Sequence, residues 1–195
     1  MEIVSITLNT KSKRYKNFLI NNKHLKISIF NAFDGNNFSK EEIVKDGLVT
    51  KDLSEHSLLT NGAIGCAASH RKIWRRSSIE NKYFLVLEDD CFTHPQIVDF
   101  INSKFNILKK VDICLFGFNT DSILYSISPQ GLETIKIFSP IHPHEDWIKK
   151  SLSLRDINTI SFHELIQAFG TCAYFNHQKV LKNWKNLYFL CLLIL

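Results

Sequence analysis

The chain is predicted to be an α/β domain with a mostly parallel central sheet. Two observations predict this. Over residues 1–118, short apolar runs alternate with longer segments whose apolar residues recur at helical spacing. One of those runs, Tyr83 to Leu87, is continuously apolar, as a strand covered on both faces must be. The 195 residues suffice for one domain with a real core. A composition 45% hydrophobic and 22% charged excludes a disordered chain.

The elements follow in order. Ile3 to Leu8 is an apolar run and a predicted strand. Thr10 to Asn22 carries apolar positions at Tyr15, Phe18 and Leu19, the spacing of an amphipathic helix. Leu25 to Phe30 alternates and predicts a second strand. Asp34-Gly35-Asn36-Asn37 is a turn. Ser39, with Glu42 three residues on, forms a capping box for a short helix over 40–45. Gly62 to Glu80 predicts a helix with Cys66, Ala67, His70, Ile73, Trp74 and Ser77 on its apolar face. Tyr83 to Leu87 is the buried strand. Pro95 opens a helix running to about Lys109. Ile113 to Phe118 is a further buried strand, and strand-like pieces follow at Ile123 to Ile127 and Leu132 to Phe138. Gly170 to Asn176 is a last strand before a helix from His177.

Charge and cysteine usage narrow the partners. A net charge of +5 suits an anionic ligand, such as a nucleotide diphosphate, or an acidic membrane surface. No Lys/Arg stripe interleaves with aromatic residues, so nucleic acid is not expected. The five cysteines form no metal-binding spacing and lie among apolar neighbours, which predicts buried free thiols in a reducing compartment. The N-terminus lacks a basic region followed by an apolar one, so a cytoplasmic location is expected. Residues 187–195 are almost wholly apolar but far short of the roughly 20 residues that span a bilayer.

The chemistry is expected at Glu88-Asp89-Asp90, directly after the buried strand. Ligands in open α/β sheets bind at the carboxyl ends of strands. Three adjacent carboxylates repel one another unless a cation intervenes. Oxygen ligands of this kind suit Mg²⁺ or Mn²⁺. Such an ion can hold a diphosphate leaving group, as transfer from a nucleoside diphosphate sugar requires. If the chain stays extended past Leu87, Glu88 and Asp90 point to one side; Asp89 points the other way, or joins them if the chain turns. A solvated acidic turn is the alternative that the triplet alone leaves open.

The segment Gly65-Cys66-Ala67-Ala68-Ser69-His70, then Ile73-Trp74, then Leu85-Val86-Leu87-Glu88-Asp89-Asp90 resembles the signature of glycosyltransferase family 25. That family includes bacterial lipopolysaccharide and lipooligosaccharide galactosyltransferases and collagen galactosyltransferases. Ser5-Ile6-Thr7-Leu8 with Arg14, Phe33-Asp34-Gly35, and Gly170-Thr171 with Tyr174 resemble further parts of the pattern. The match covers roughly residues 1–182. The resemblance implies a GT-A-like, Rossmann-like domain with a UDP-sugar donor, commonly UDP-galactose. It also implies a DXD-like motif binding manganese or magnesium, and inversion at the anomeric carbon. Arg14, Asp34, Ser69, His70, Asp89, Gly170 and Thr171 are then the expected donor-binding residues, with Glu88 and Asp90 as metal ligands.

The domain is expected to span 1–186. Residues 1–118 form the nucleotide-sugar half and 119–186 the acceptor-side half, facing a lipid-linked oligosaccharide of lipopolysaccharide synthesis. A base for the acceptor hydroxyl is sought at Asp121 or Glu164. Family members continue into a segment with a further aspartate, whereas here no acidic residue follows Glu164. The expectation is therefore a C-terminally truncated domain whose tail, 187–195, is not native to the fold. Two alternatives follow: an inactive remnant that still binds UDP-sugar, or a basic module docking to a membrane or partner. The basic face of Arg71, Lys72, Arg75 and Arg76 motivates the second, with solvent exposure as its plainer reading. His142, His144, Glu145 and Asp146 match no standard zinc spacing and are expected to form a surface loop.

Overall fold

A computed structural model describes residues 1–57, 59–116, 123–128, 131–136, 161–167, 173–176 and 189–193. The first strand, β1 (Glu2–Thr7), leads into α1 (Lys13–Asn21) and β2 (Ser28–Asn31). The short helices α2 (Lys40–Lys45) and α3 (Lys51–Glu55) precede the long helix α4 (Asn61–Glu80). Then come β3 (Phe84–Glu88), α5 (Ile97–Leu108) and β4 (Ile113–Leu115). The described remainder is β5 (Ile123–Ser128), β6 (Gly131–Lys136), β7 (Ser161–Gln167), β8 (Ala173–Asn176) and β9 (Phe189–Leu193).

Local chemistry sets the helix ends. Ser12 caps α1 by accepting from the Tyr15 N–H. The capping box at Ser39 and Glu42 forms as expected. Thr60 caps α4 through the Ala63 N–H, and Asn81 in the left-handed region (φ 53°) ends it. Pro95 lies just ahead of α5 rather than inside its first turn.

The strands form one nine-stranded sheet, ordered β2-β1-β3-β8-β4-β9-β7-β5-β6. β2, β1 and β3 run parallel. β8 then inserts antiparallel between β3 and β4. β4 and β9 are parallel, and β9-β7-β5-β6 alternate in direction. The expectation of a mostly parallel sheet is therefore correct for the β2-β1-β3 part and corrected to a mixed sheet for the whole. The physical reason lies in β8. Its residues Ala173 to Asn176 are all buried, and burial on both faces reveals a central position but not a direction.

Period-two alternation sends β3 into two cores. Phe84 and Val86 pack with Val4, Ile113, Tyr174 and Ile73 of α4 on one face. Leu85 and Leu87 pack with Tyr15 and Phe18 of α1, Ile97 and Ile101 of α5, and Phe175 on the other. The four apolar residues Phe84 to Leu87 are at most 1% exposed, so burial contributes roughly 1.5–3 kcal/mol each. β3 is thus a central strand covered on both faces, as the apolar run predicts, with Tyr83 half-buried just ahead of it.

Several expectations change. The buried stripe of α4 is Ile64, Gly65, Ala68, Ser69, His70, Ile73 and Ser77; Cys66 lies outside it, exposed, and the half-buried Ala67 packs beside Ile43, Leu48 and Val49. Cys91 and Cys114 are buried free thiols, but Cys66 is exposed. The basic face of α4 is largely tied down internally. Arg76 pairs with Glu2 and Glu80, and Arg75 donates to the Asp46 carbonyl. α3, with five residues, is too short to carry a period, and the seven residues of β7 lack period-two alternation, so the sequence predicts neither. The tail expected outside the fold supplies β9, hydrogen-bonded between β4 and β7. Five apolar residues in succession suit a strand flanked on both edges. The helix expected from His177 and the loop with His142, His144, Glu145 and Asp146 lie outside the described residues.

Candidate active site

The β2-β1-β3 order creates a topological switch point. The chain leaves β1 for β2 on one side, then crosses back to place β3 on the other. A crevice outside the carboxyl ends of β1 and β3 is the expected result. A cleft of about 220 Å³ lies there, lined by Thr7 and Leu8 from the end of β1 and by Glu88 and Asp89 from the end of β3. Arg14, residues 32–36 and the α4 residues Gly62, Cys66, Ser69 and His70 complete it.

Two glycines let the walls close. A Cβ on Gly65 would lie 2.5 Å from the Phe33 carbonyl oxygen, and one on Gly35 would overlap the Asn61 carbonyl. Only glycines allow α4 to approach the 33–35 segment so closely. Ser69 clamps the approach: its hydroxyl donates to the Gly65 carbonyl (2.7 Å) and accepts from the Phe33 N–H (2.9 Å). Its role in the described structure is thus to position the Asp34 turn. Asp34 itself accepts from the Asn36 N–H and from the Asn37 amide, holding the turn at the cleft rim.

The acidic triplet is divided among three environments. Asp89 is 3% exposed, accepts from the Thr7 hydroxyl (2.5 Å) and pairs with Arg14. Arg14 also reaches Asp90, at 3.8 Å, while its own side chain stays 61% exposed. Glu88, half-buried, faces His70, with Nε2 to Oε1 at 3.5 Å. Burial, the negative charge of Glu88 and, against Arg14, that of Asp89 together raise the Asp90 carboxyl above its ordinary pKa. That is unbalanced negative charge of the kind a divalent cation relieves. As carboxylates, Glu88 and Asp90 are donors of the type a hard, oxygen-binding ion takes, whereas Asp89 is committed to Thr7 and Arg14.

His70 is 6% exposed, and its Nδ1 lies 2.9 Å from the Tyr174 hydroxyl. Trp74 Nε1–H donates to the same hydroxyl at 2.9 Å. Burial opposes a charged ring, but Tyr174, Cys66 and Glu88 outweigh it and raise the His70 pKa well above 6.5. The chain beyond the triplet is also anchored. The Asn22 amide donates to the Phe18 and Cys91 carbonyls and accepts from both the Thr93 N–H and its hydroxyl.

Of the residues read from sequence, Arg14, Asp34, Ser69, His70, Glu88 and Asp89 line one cleft, with Asp90 at its edge. Glu164 lies elsewhere, on β7. That strand is four places from β3, roughly 19 Å at about 4.8 Å per strand. Asp121, Gly170 and Thr171 lie outside the described residues. Sequence reasoning names Thr7, Trp74 and Tyr174 as parts of the family pattern without their contacts, and Asn22 not at all. Thr7 had a usable signal, a lone hydroxyl at the carboxyl end of an apolar strand. Asn22 had none.

The family model described as Glycosyltransferase family 25 (LPS biosynthesis protein) matches residues 1–183. No curated protein matches the chain.

Proposed function

Because the chain belongs to glycosyltransferase family 25, and so is a glycosyltransferase of the lipopolysaccharide-biosynthesis type, we propose that it moves a hexose from a UDP-sugar to a lipid-linked oligosaccharide acceptor. Galactose is the proposed sugar, and transfer is proposed to be metal-dependent and inverting on a GT-A-like fold. The observation that carries this reading is the cleft at the β1/β3 switch point, lined by Arg14, Glu88 and Asp89, with Asp90 beside Arg14 at its edge.

Each side chain has a proposed part. Arg14 already spans Asp89 and Asp90, and its exposed guanidinium offers further N–H groups to a diphosphate. The first turn of α4 borders the same cleft at Gly62, and the positive end of the helix there would favour an anion. Glu88 and Asp90 would hold a divalent cation, Mn²⁺ or Mg²⁺. What the ion supplies there when bound is charge for the diphosphate leaving group. Asp34, Gly170 and Thr171 are proposed to contact the donor. Inversion needs a base for the acceptor hydroxyl, and Asp121 and Glu164 are the carboxylates proposed for it. The separation of Glu164 from β3 favours Asp121. The acceptor is proposed to be met at the inner face of the cytoplasmic membrane. Among the described residues no helix is long and apolar enough to cross a membrane.

Calorimetric titration with UDP, with and without Mn²⁺, tests the reading. Binding that depends on the ion is expected. Equal UDP affinity in excess EDTA removes the metal from the proposal, and absence of UDP binding in both conditions removes the donor.

A further inference from the structure

One face of the cleft carries a second donor set, different in chemistry from the carboxylate pair. Cys66 and His70 are four residues apart on α4, so their side chains stack on one side of the helix. Glu88 meets them from the end of β3. The Cys66 Sγ, a His70 ring nitrogen and a Glu88 carboxylate oxygen all lie within 4.8 Å of one another. Ligand atoms around tetrahedral zinc stand roughly 3.3–3.6 Å apart, given Zn–N near 2.0 Å and Zn–S near 2.3 Å. The His70–Glu88 pair is already at 3.5 Å. The remaining closure falls to Cys66, which is exposed and has a single side-chain torsion to turn.

The surroundings of His70 match those of a metal ligand. A ligating imidazole is oriented through its other nitrogen. Here Nδ1 is held by the Tyr174 hydroxyl, and that hydroxyl is held in turn by Trp74 Nε1. Both aromatic partners come from the packed core between α4 and the sheet. Nε2 is left facing Cys66 and Glu88. All three residues line the open cleft, from which water or a ligand atom could complete the coordination of an ion.

We propose that Cys66, His70 and Glu88 form a binding site for a thiophilic divalent ion of the zinc class, distinct from the Glu88/Asp90 oxygen pair and sharing Glu88 with it. On binding, the Cys66 thiol and the His70 Nε2 give up any protons they carry to solvent, and the ion takes their lone pairs. If Glu88 and Asp90 serve the donor, as proposed above, zinc excludes Mn²⁺-dependent donor binding by withdrawing Glu88. That consequence alone rests on the glycosyltransferase reading.

The test is Co²⁺ titration of the full chain under reducing conditions, followed by absorption. A thiolate-to-metal charge-transfer band in the near ultraviolet, with strong visible bands of tetrahedral Co²⁺, is expected. Zn²⁺ should displace both. Cys66→Ser should abolish the charge-transfer band and weaken Co²⁺ binding at least tenfold. Tyr174→Phe should keep the band but weaken binding roughly 10–100-fold. A wild-type spectrum without the thiolate band, or one unchanged in Cys66→Ser, overturns the site. So does unchanged Co²⁺ affinity in Tyr174→Phe. The spectra are read without UDP, so failure of donor binding bears on the functional reading and not on this site. Zn²⁺ that binds at Cys66 yet leaves Mn²⁺-dependent UDP affinity unaltered breaks only the antagonism.

Discussion

In β2-β1-β3 every strand runs the same way, so Thr7, Asn31 and Glu88 end on one rim of the sheet. In β9-β7-β5-β6 each neighbour reverses, and strand ends alternate between the two rims. The consequence is chemical. A cleft needs side chains from several strand ends at one place, and only the parallel part supplies them. There, helix α4 and the 33–35 turn are added over the same rim. The antiparallel part instead closes hydrogen bonds from edge to edge and extends the sheet. If this division is right, changes in the parallel part alter ligand binding, and changes at the junction alter stability alone.

The largest expected effect is at the centre of the parallel part. Leu85 is fully buried against α1 and α5. Leu85→Ala should cost about 2–5 kcal/mol of unfolding free energy in a urea titration. A cost below 1 kcal/mol would mean that β3 is not the packed axis of the cleft. Next comes the junction. Removal of residues 187–195 takes away β9, the strand between β4 and β7. A fall in Tm of roughly 6–12 °C is expected, as for a loss of about 3 kcal/mol in a chain this long. UDP affinity should stay within about twofold. An unchanged Tm would show that β9 does not join the two parts.

Two smaller effects separate the triplet's members. Asp89→Ala leaves the buried Thr7 hydroxyl without its carboxylate and releases Arg14. It should cost about 2 kcal/mol of stability and also weaken UDP, measured by thermal melts and calorimetry together. Stability equal to the unsubstituted chain would deny Asp89 its structural role. Asp90→Asn changes a half-exposed carboxylate at the rim. Stability should shift by no more than about 0.5 kcal/mol. Mn²⁺-dependent UDP affinity should fall at least tenfold, about 1.4 kcal/mol. Equal loss of stability in the two variants would erase the distinction between them.

Much of the parallel part was legible because its signals are local. The Ser39/Glu42 capping box, the helical run after Asn61 and the apolar strand before Glu88 each depend on residues within a few positions. The triplet's place at a strand end was legible for the same reason. The division of labour within it was not. An extended chain would pair Glu88 with Asp90 and set Asp89 aside, but the backbone turns at 89–90, so that Glu88 faces His70 while Asp89 and Asp90 share Arg14. In the antiparallel part, β5 and β6 were legible as the strand-like pieces at Ile123 to Ile127 and Leu132 to Phe138, whereas β7 was not, because its seven residues lack period-two alternation. Nor does an apolar run like 189–193 reveal its partner.

The sequence by itself determined the element types over most of residues 1–116, the core residues of β3, and the set of side chains that meet at the β1/β3 rim. The family followed from the same residues, through the pairing of the Gly65–His70 segment with the Glu88–Asp90 triplet. Tertiary structure alone decided that β8 runs antiparallel through the middle of the sheet. It also decided that Asp89 answers to Thr7, 82 positions away, and that His70 answers to Tyr174, 104 positions away. Propensity, capping and periodicity act over a few residues. The direction of a buried strand and the partner of a buried polar group are settled by whichever distant segment closes the remaining hydrogen bonds.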